Sequence, residues 1–520
     1  MLSLFSNLHK THYLAYIFLG MISYLRQLSI PFHSLALFRI LLGISLLYNL
    51  CLVKLPYAAA FYGSDPIIPA SLFRAMNGNT AFSVFDWVRN DVFAYIFIGI
   101  GIVSSLCLTI GFRTRYAAFV SLFVYWNLLQ ASAKFVFGFD FYTFQLLFWA
   151  CFLPLDGVFA LQKNAAPPRP NWAVCAIILY QIAWVYFASG CAKYGESWMG
   201  GYAVRNMLMD VWATLPLGTY LANTPWLYQP LTYLTLAAEC LFPLFVFISF
   251  KKYIFRYFGI VFLIGFHISI LLMYDVANFS LTGLAAAALL LPARFWARFS
   301  SHKSEPHEPV PAAAPAVAPS TWQRYALYGF IAFSTYIITE KNLFFLTQHS
   351  ALKNQPRIVQ LSEQLRFLDI PSPVKISYFV QFWKMFAPNP PVKVGWLALE
   401  TTKSDGYTYD FFTDRLIENS PRINWTPKGY EYYLLRYSRT FDYPDGSGNQ
   451  FKLFLKYWIP YVMKREKGNT SDINELYLTD YLYIVTDQSK PHQPEITYNM
   501  YKAAEIVAAK YEIESEIPLF

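Results

Sequence analysis

Apolar residues run through this chain in long, nearly unbroken stretches rather than in the short alternations of a water-soluble domain. Crossing the hydrocarbon core takes roughly 20 apolar residues in a helix. Nine stretches come close: 35–52, 92–112, 116–136, 141–160, 172–192, 229–249, 255–274, 276–293 and 323–340. The first, eighth and ninth are the shortest. The fourth carries Pro154 inside its apolar run, where neighbouring helices would re-satisfy the freed carbonyl. Ahead of them, residues 8–30 mix Leu, Tyr, Ile and Phe with Lys10, Arg26 and Gln27, the pattern of a helix lying in the membrane interface.

The pattern changes after about 300. Residues 301–320 are rich in Pro and Ala and predict an extended linker. Helical periodicity returns over 343–368. Beyond 391 the pattern is that of a small α+β domain. Val394–Thr401 and Tyr407–Phe412 read as strands flanking the hairpin signal Lys403-Ser-Asp-Gly. A helix is expected over 451–466, a strand from Tyr481 and a helix over 498–511. The expected fold is mainly α: a polytopic helical bundle of about nine spans followed by a small α+β extracytoplasmic domain. Its parts are an interfacial helix (1–31), the transmembrane bundle (32–297), the linker (298–321), a ninth span (322–341) and the outer domain (342–520).

Composition agrees with this reading: 56 % of the 520 residues are hydrophobic and 14 % are charged. The net charge of +9 invites a nucleic-acid partner, but its distribution argues against one. Residues 341–520 hold 21 Lys/Arg and 20 Asp/Glu and are close to neutral. The excess follows even-numbered spans, at Arg113, Arg115, Lys163, Arg169, Lys251, Lys252, Arg256, Arg294, Arg298 and Lys303. Cytoplasmic loops retain positive charge. The N-terminus is therefore expected inside and the C-terminal domain outside. Arg39, near the inner end of the first span, is expected to snorkel. All six cysteines lie in or at the ends of the apolar stretches, so the outer domain folds without disulfides.

No phosphate-binding loop, dinucleotide fingerprint, Ser/His/Asp elbow or zinc spacing is present. The candidates for chemistry are ionisable groups at or inside spans: Lys193 where the fifth stretch ends, Glu239 in the sixth and His267 in the seventh, with Glu196 and Asp140 nearby. Such groups are costly in a bilayer and usually face the bundle interior or a water-filled cavity. A desolvated lysine can act as a base. Lysines at span ends also snorkel routinely, and Glu239 and His267 could form interhelical pairs. Trp184, Tyr186 and Trp198 supply aromatic surface near Lys193. Lys134 and Asp140 stand close enough in sequence to pair at the outer surface.

Several stretches, taken in order, resemble one family. They are Leu35-Ala-Leu-Phe-Arg39, Gly111-Phe-Arg-Thr-Arg, Tyr186-Phe-Ala-Ser-Gly-Cys-Ala-Lys193 followed by Ser197-Trp198 and Gly201-Tyr202, then Glu239, Phe266-His267 and Trp383-Lys-Met-Phe. From about Pro31 to Pro391 the chain resembles the vitamin K-dependent gamma-carboxylase-like family, whose membrane module is the horizontally transferred transmembrane (HTTM) domain. The resemblance implies a lumenal or outer-face site that uses reduced vitamin K or another quinol, with a lysine as base. That lysine is the second of a Gly-x-Lys-Lys pattern and falls on Lys193, with Ala192 in the first position. His267 and Glu239 would support it, and Trp198 and Tyr186 would border the cofactor. The carboxylases also place an Asn-His pair before the fourth span. Here the segment reads Gly138-Phe-Asp140-Phe-Tyr, and no histidine stands between Lys134 and Pro154. An oxyanion donor is usually worth a few kcal/mol, so glutamate carboxylation is a poor expectation.

The sequence thus leaves three classes open. One is a quinol-dependent or carboxylase-like membrane enzyme in a bacterial inner membrane, acting on a secreted or periplasmic protein. The second is a non-enzymatic anchor that presents its outer domain to a partner, and the third is a transporter. No internal repeat of interrupted spans supports the third.

Overall fold

The computed structural model describes residues 29–67, 69, 82–132, 136, 138–164, 167–209, 214–248, 253–299, 321–366, 383–390, 393–411, 416, 448–465, 473–484 and 495–508. The expected interfacial helix, the Pro/Ala linker and Lys134 lie outside these residues, apart from a few residues at the edges of the first two.

Nine helices occupy the nine apolar stretches. They are α1 (Phe32–Tyr48), α2 (Asp91–Ile110), α3 (Thr114–Ala131), α4 (Gly138–Ala150), α5 (Trp172–Ala192), α6 (Pro225–Phe247), α7 (Tyr253–Met273), α8 (Ala277–Ala288) and α9 (Thr321–His349). Five are long and apolar enough to cross a membrane: Phe32–Tyr62, Asp91–Ile110, Trp172–Ala192, Pro225–Phe247 and Ile254–Met273. The other four fall short for visible reasons. At 1.5 Å per residue, α4 and α8 reach only about 20 Å, below the roughly 30 Å hydrocarbon core. Arg115, Asn127 and Gln130 interrupt α3, and Arg324, Glu340 and Lys341 interrupt α9.

Local chemistry sets the boundaries. Asn90 caps α2 by accepting from the Val92 and Phe93 amides, and Gly111 ends it in the left-handed region at φ 79°. Asn171 caps α5 through the Ala173 amide. The first helix outruns the predicted 35–52. It passes through a π segment, Asn49–Lys54, and continues to Tyr62. The fourth stretch is corrected in the opposite sense. Its helix ends at Ala150, so Pro154 lies in the turns that follow rather than inside a helix. A proline disfavours helical geometry in the residue before it. That unwinding explains a second correction. Arg39 does not snorkel; it is fully buried. Its guanidinium donates to the freed carbonyls of Leu155, at 3.1 Å, and Phe159. Gly111 is required beside it, because a Cβ there would stand 2.1 Å from Arg39.

In α5 no residue is exposed and 15 of 21 are buried, and α6 and α9 pack on it. By contrast, α2, α6 and α7 turn apolar stripes outward, such as Val92, Ile96, Ile100 and Val103 on α2. These stripes meet lipid.

Among the described residues, the later part holds a helix α10 (Pro356–Leu365), four strands and two further helices, α11 (Gly448–Arg465) and α12 (Ala503–Ala508). The strands are β1 (Lys393–Lys403), β2 (Thr408–Asp410), β3 (Ile473–Ile484) and β4 (Glu495–Lys502), antiparallel in the order β2-β1-β3-β4. The 403–407 hairpin turns at Gly406, φ 82°. The helix expected over 498–511 is corrected: 495–502 is a strand and only 503–508 is helical. Ile496, Tyr498 and Tyr501 suit a sheet, and residues 477–484 of β3 pair with 495–502 throughout.

Candidate functional site

Lys193 is the residue at which α5 stops. It caps the helix at φ −84° and ψ 60°, and its amide bonds back to Gly190 O. The helix ends against the middle of its neighbour. Glu239 lies fourteen residues into α6, so about 21 Å of α6 runs on past the end of α5. That overhang is roofed by three short helices, Glu196–Met199, Ala203–Leu208 and Pro216–Ala222. Thr232 accepts from the Val204 amide, and Tyr233 donates to Met199 O.

Under this roof Lys193 is 3 % exposed and Glu239 1 %. The lysine Nζ lies 2.5 Å from Glu239 Oε2 and 2.5 Å from Ser189 Oγ. It also stands 5.2 Å from the centre of the Trp198 ring. An interfacial anchor keeps its head in water; this lysine is enclosed by a carboxylate, a hydroxyl and an indole. Ser189 was not singled out from sequence. The i, i+4 spacing of Ser189 and Lys193, which places both on one helix face, was the available signal.

The pair borders a cavity of about 650 Å³. Its walls are one face of α6 (Leu231, Leu234, Ala238) and one of α7 (Phe262, Phe266, Ile270), with Phe139 and Phe279 behind. Lys193 and Glu239 are the charged side chains among the described residues of the wall. Thr235, Ser269 and Tyr274 are its other polar members. Leu234, Phe258 and Val261 line the cavity and are also more than half exposed on the outer surface of α6 and α7. The cavity therefore opens sideways between these two helices, toward the lipid.

A distant segment closes the other side. Met385 and Phe386 project into the cavity wall, and three hydrogen bonds hold their loop to the turn after Lys193. Gly195 N donates to Pro388 O at 3.0 Å, Ser197 N to Asn389 Oδ1 at 2.9 Å and Trp198 Nε1 to Phe386 O at 2.9 Å. Gly195 permits this approach: a Cβ there would lie 2.2 Å from Asn389 and 2.4 Å from Pro388 O. No local pattern marked Asn389, because its role depends on a contact across nearly 200 residues.

The other sequence candidates divide. Trp198 is in the wall. His267 and Tyr186 are fully buried behind it, with Tyr186 OH 2.7 Å from His267 Nε2. The histidine ring fits against Gly283, where a Cβ would stand 2.0 Å from Nε2. Lys193 and Glu239 thus share one cavity, while His267 supports it from outside. Glu196 is exposed and faces Tyr202. Trp184 packs on Tyr180 and Phe187 along α5, away from the wall. Asp140 is buried elsewhere and accepts from Tyr125 OH at 2.6 Å and Asn49 Nδ2 at 3.3 Å.

Comparison with known proteins gives one positive result. The family model described as HTTM domain matches residues 29–295, which spans α1 to α8 and includes Lys193, Glu239 and His267. No curated protein and no solved structure matches the chain. The match covers just over half of the sequence, and the chain belongs to the HTTM domain family, vitamin K-dependent gamma-carboxylase-like, as a multi-pass membrane protein.

Proposed function

We propose that this protein is a membrane enzyme in which Lys193 takes a proton from a lipid-soluble, quinol-like ligand held in the cavity between α6 and α7. One observation carries the reading: the charged groups of a mainly apolar, laterally open cavity are a buried amine and a buried carboxylate in direct contact. The volume falls in the range of small-molecule sites, roughly 300–1,000 Å³. The apolar walls suit a ring and tail, and the polar pair suits a single acidic hydroxyl. The residues therefore fit a quinol. When bound, a quinol supplies a weakly acidic hydroxyl and reducing equivalents.

This chain's own groups do the rest. Ser189 and Trp198 fix the position of the Lys193 Nζ. Glu239 balances its charge and provides a carboxylate to which a proton can pass, leaving the amine free as a base. Phe386 and Met385, strapped down by Asn389, close the cavity opposite the lateral opening and keep water from the pair. Tyr186 and His267 hold the wall through their mutual hydrogen bond.

The same proposal takes all nine helices as a bundle with the Lys193 end outside, as the loop charges favour, and the sheet-bearing region as an extracytoplasmic domain that presents a protein substrate. The segment around Asp140 offers no histidine donor, so the proposed chemistry stops at proton transfer from the ligand. The test is quinol-dependent turnover in proteoliposomes: Lys193→Ala should abolish it with expression retained, and full activity in that variant would refute the reading. The anchor alternative predicts that Lys193→Arg is silent. The enclosure of Nζ between Glu239 and Ser189 favours the enzyme.

A further inference from the structure

Two cysteines flank the buried pair on its two helices. Cys191 stands two residues before Lys193 on α5, and Cys240 directly follows Glu239 on α6. Both are half-buried free thiols, and they are electrostatic neighbours. The helices meet here with almost no gap. A Cβ on Gly190 would lie 2.9 Å from Cys240 N and 2.9 Å from its Sγ. The glycine between Ser189 and Cys191 thus lets the two backbones touch at the level of the thiols. Neither cysteine lines the cavity, so the proposed proton transfer does not use them. Cys191 also borders the exposed turn at 351–354, through the hydrogen bond from Ala351 N to Cys191 O. That position gives a water-borne oxidant a route to the pair.

We propose that Cys191 and Cys240 form a redox-modifiable dithiol, oxidised by exchange with a small-molecule or protein disulfide, whose disulfide form staples α5 to α6 beside the Lys193–Glu239 pair. The step balances. One thiol loses its proton to solvent and its sulfur attacks the incoming disulfide, forming a mixed disulfide and releasing one thiolate. The second cysteine, deprotonated in turn, attacks the mixed disulfide at the protein sulfur. The Cys191–Cys240 bond forms, and the second half of the oxidant leaves as a thiolate. Both released thiolates take up the two protons. The two cysteines are oxidised by two electrons and the reagent is reduced to two thiols. The contact needed is short: the backbones already touch at Gly190 and Cys240, and side-chain rotation must bring the sulfurs to about 2.05 Å. The remaining cysteines, Cys51, Cys107, Cys151 and Cys175, have no such thiol partner among the described residues.

The inference stands independently of the role given to Lys193. Its test uses the full chain in detergent, incubated with glutathione disulfide, alkylated with N-ethylmaleimide, digested and read by mass spectrometry. The expected result is a linked peptide joining 191 to 240 that has lost two hydrogens. Alkylation of both cysteines should be lost together and recovered with dithiothreitol, while the other four cysteines remain alkylated. Cys191→Ser and Cys240→Ser should each abolish the linked peptide and leave the remaining thiol as a glutathione adduct. Absence of the 191–240 peptide in the parent protein, or linkage of either residue to another cysteine instead, would overturn the proposal.

Discussion

Replacing Glu239 by glutamine asks how much the buried pair contributes to the fold. Glutamine keeps the shape and a hydrogen-bonding oxygen but leaves the Lys193 cation without a counter-charge, in a site where the two side chains are 3 % and 1 % exposed. At 2.5 Å and an effective dielectric of about 20, the attraction lost is about 6–7 kcal/mol. Part of that only offset the cost of desolvating both ions, so the net loss should be about 3–5 kcal/mol. This is a large share of a typical stability of about 5–15 kcal/mol. Lys193→Met should cost a similar amount, since it strands the carboxylate instead. The double variant Lys193→Met/Glu239→Gln buries no charge. It should recover most of the loss, giving a coupling of about 3 kcal/mol or more. The assay is thermal melting of the four purified proteins in one detergent, scored as a double-mutant cycle. If Glu239→Gln melts with the parent, or if the two single effects simply add, the pair is not a buried ion pair and the site description fails.

Three further outcomes follow from other parts of the structure. Arg39→Met should destabilise by about 2–4 kcal/mol, because the buried Leu155 carbonyl and the part-buried Phe159 carbonyl lose their donor; limited proteolysis should then open residues 151–164, and Arg39→Lys, lacking the planar fork, should rescue poorly. Gly195→Ala should push the 383–390 strap off the turn, since its Cβ would overlap Asn389 and Pro388, and should weaken binding of a cavity ligand by about tenfold or more, roughly 1.4 kcal/mol. His349, beyond the predicted ninth span, has its pKa lowered to about 4 by burial and then by the charge of Lys384. A depressed folded-state value means that stability is complete above the ordinary value of 6.5 and is lost as pH falls toward 4. For this half-buried group the loss should be about 1–2 kcal/mol once solvent screening is allowed for. His349→Asn should melt with a shallower dependence on pH between 7 and 4.5, and an unchanged slope would contradict the assignment.

Much of this was legible in the chain. Continuous apolar runs mark helices well, because a membrane leaves the backbone no other way to satisfy its hydrogen bonds. Each of the nine runs became a helix. Lengths were less legible. The fourth apolar run continues to residue 160, yet the α4 helix stops at Ala150 before Pro154, and the Arg39 guanidinium takes up the freed carbonyls. Hydropathy alone could not show that, since Arg39 and Leu155 are 116 residues apart. In the same way Lys193, Glu239, Trp198 and His267 were visible as residue types out of place in apolar surroundings, but their grouping was not. The structure joins the first three at one cavity and sets His267 and Tyr186 behind its wall. Asn389 carried no signal, because an Asn–Pro loop reads the same wherever it docks, and Phe386 stood only within the Trp383-Lys-Met-Phe stretch, with nothing to place it at this cavity. The 495–502 strand was missed because alternation is weak over eight residues and the partner strand β3 decides it.

The central claim is that Lys193 removes a proton from a ligand in the α6–α7 cavity. A long-chain nitrophenol, whose phenol and phenolate forms absorb at different wavelengths, tests it directly without any turnover assay. Bound to the parent protein in detergent, at a pH where the free probe is protonated, it should show the phenolate spectrum. Bound to Lys193→Met/Glu239→Gln, which keeps the apolar cavity, it should show the phenol spectrum. Identical spectra in the two proteins, at matched occupancy, would contradict the claim.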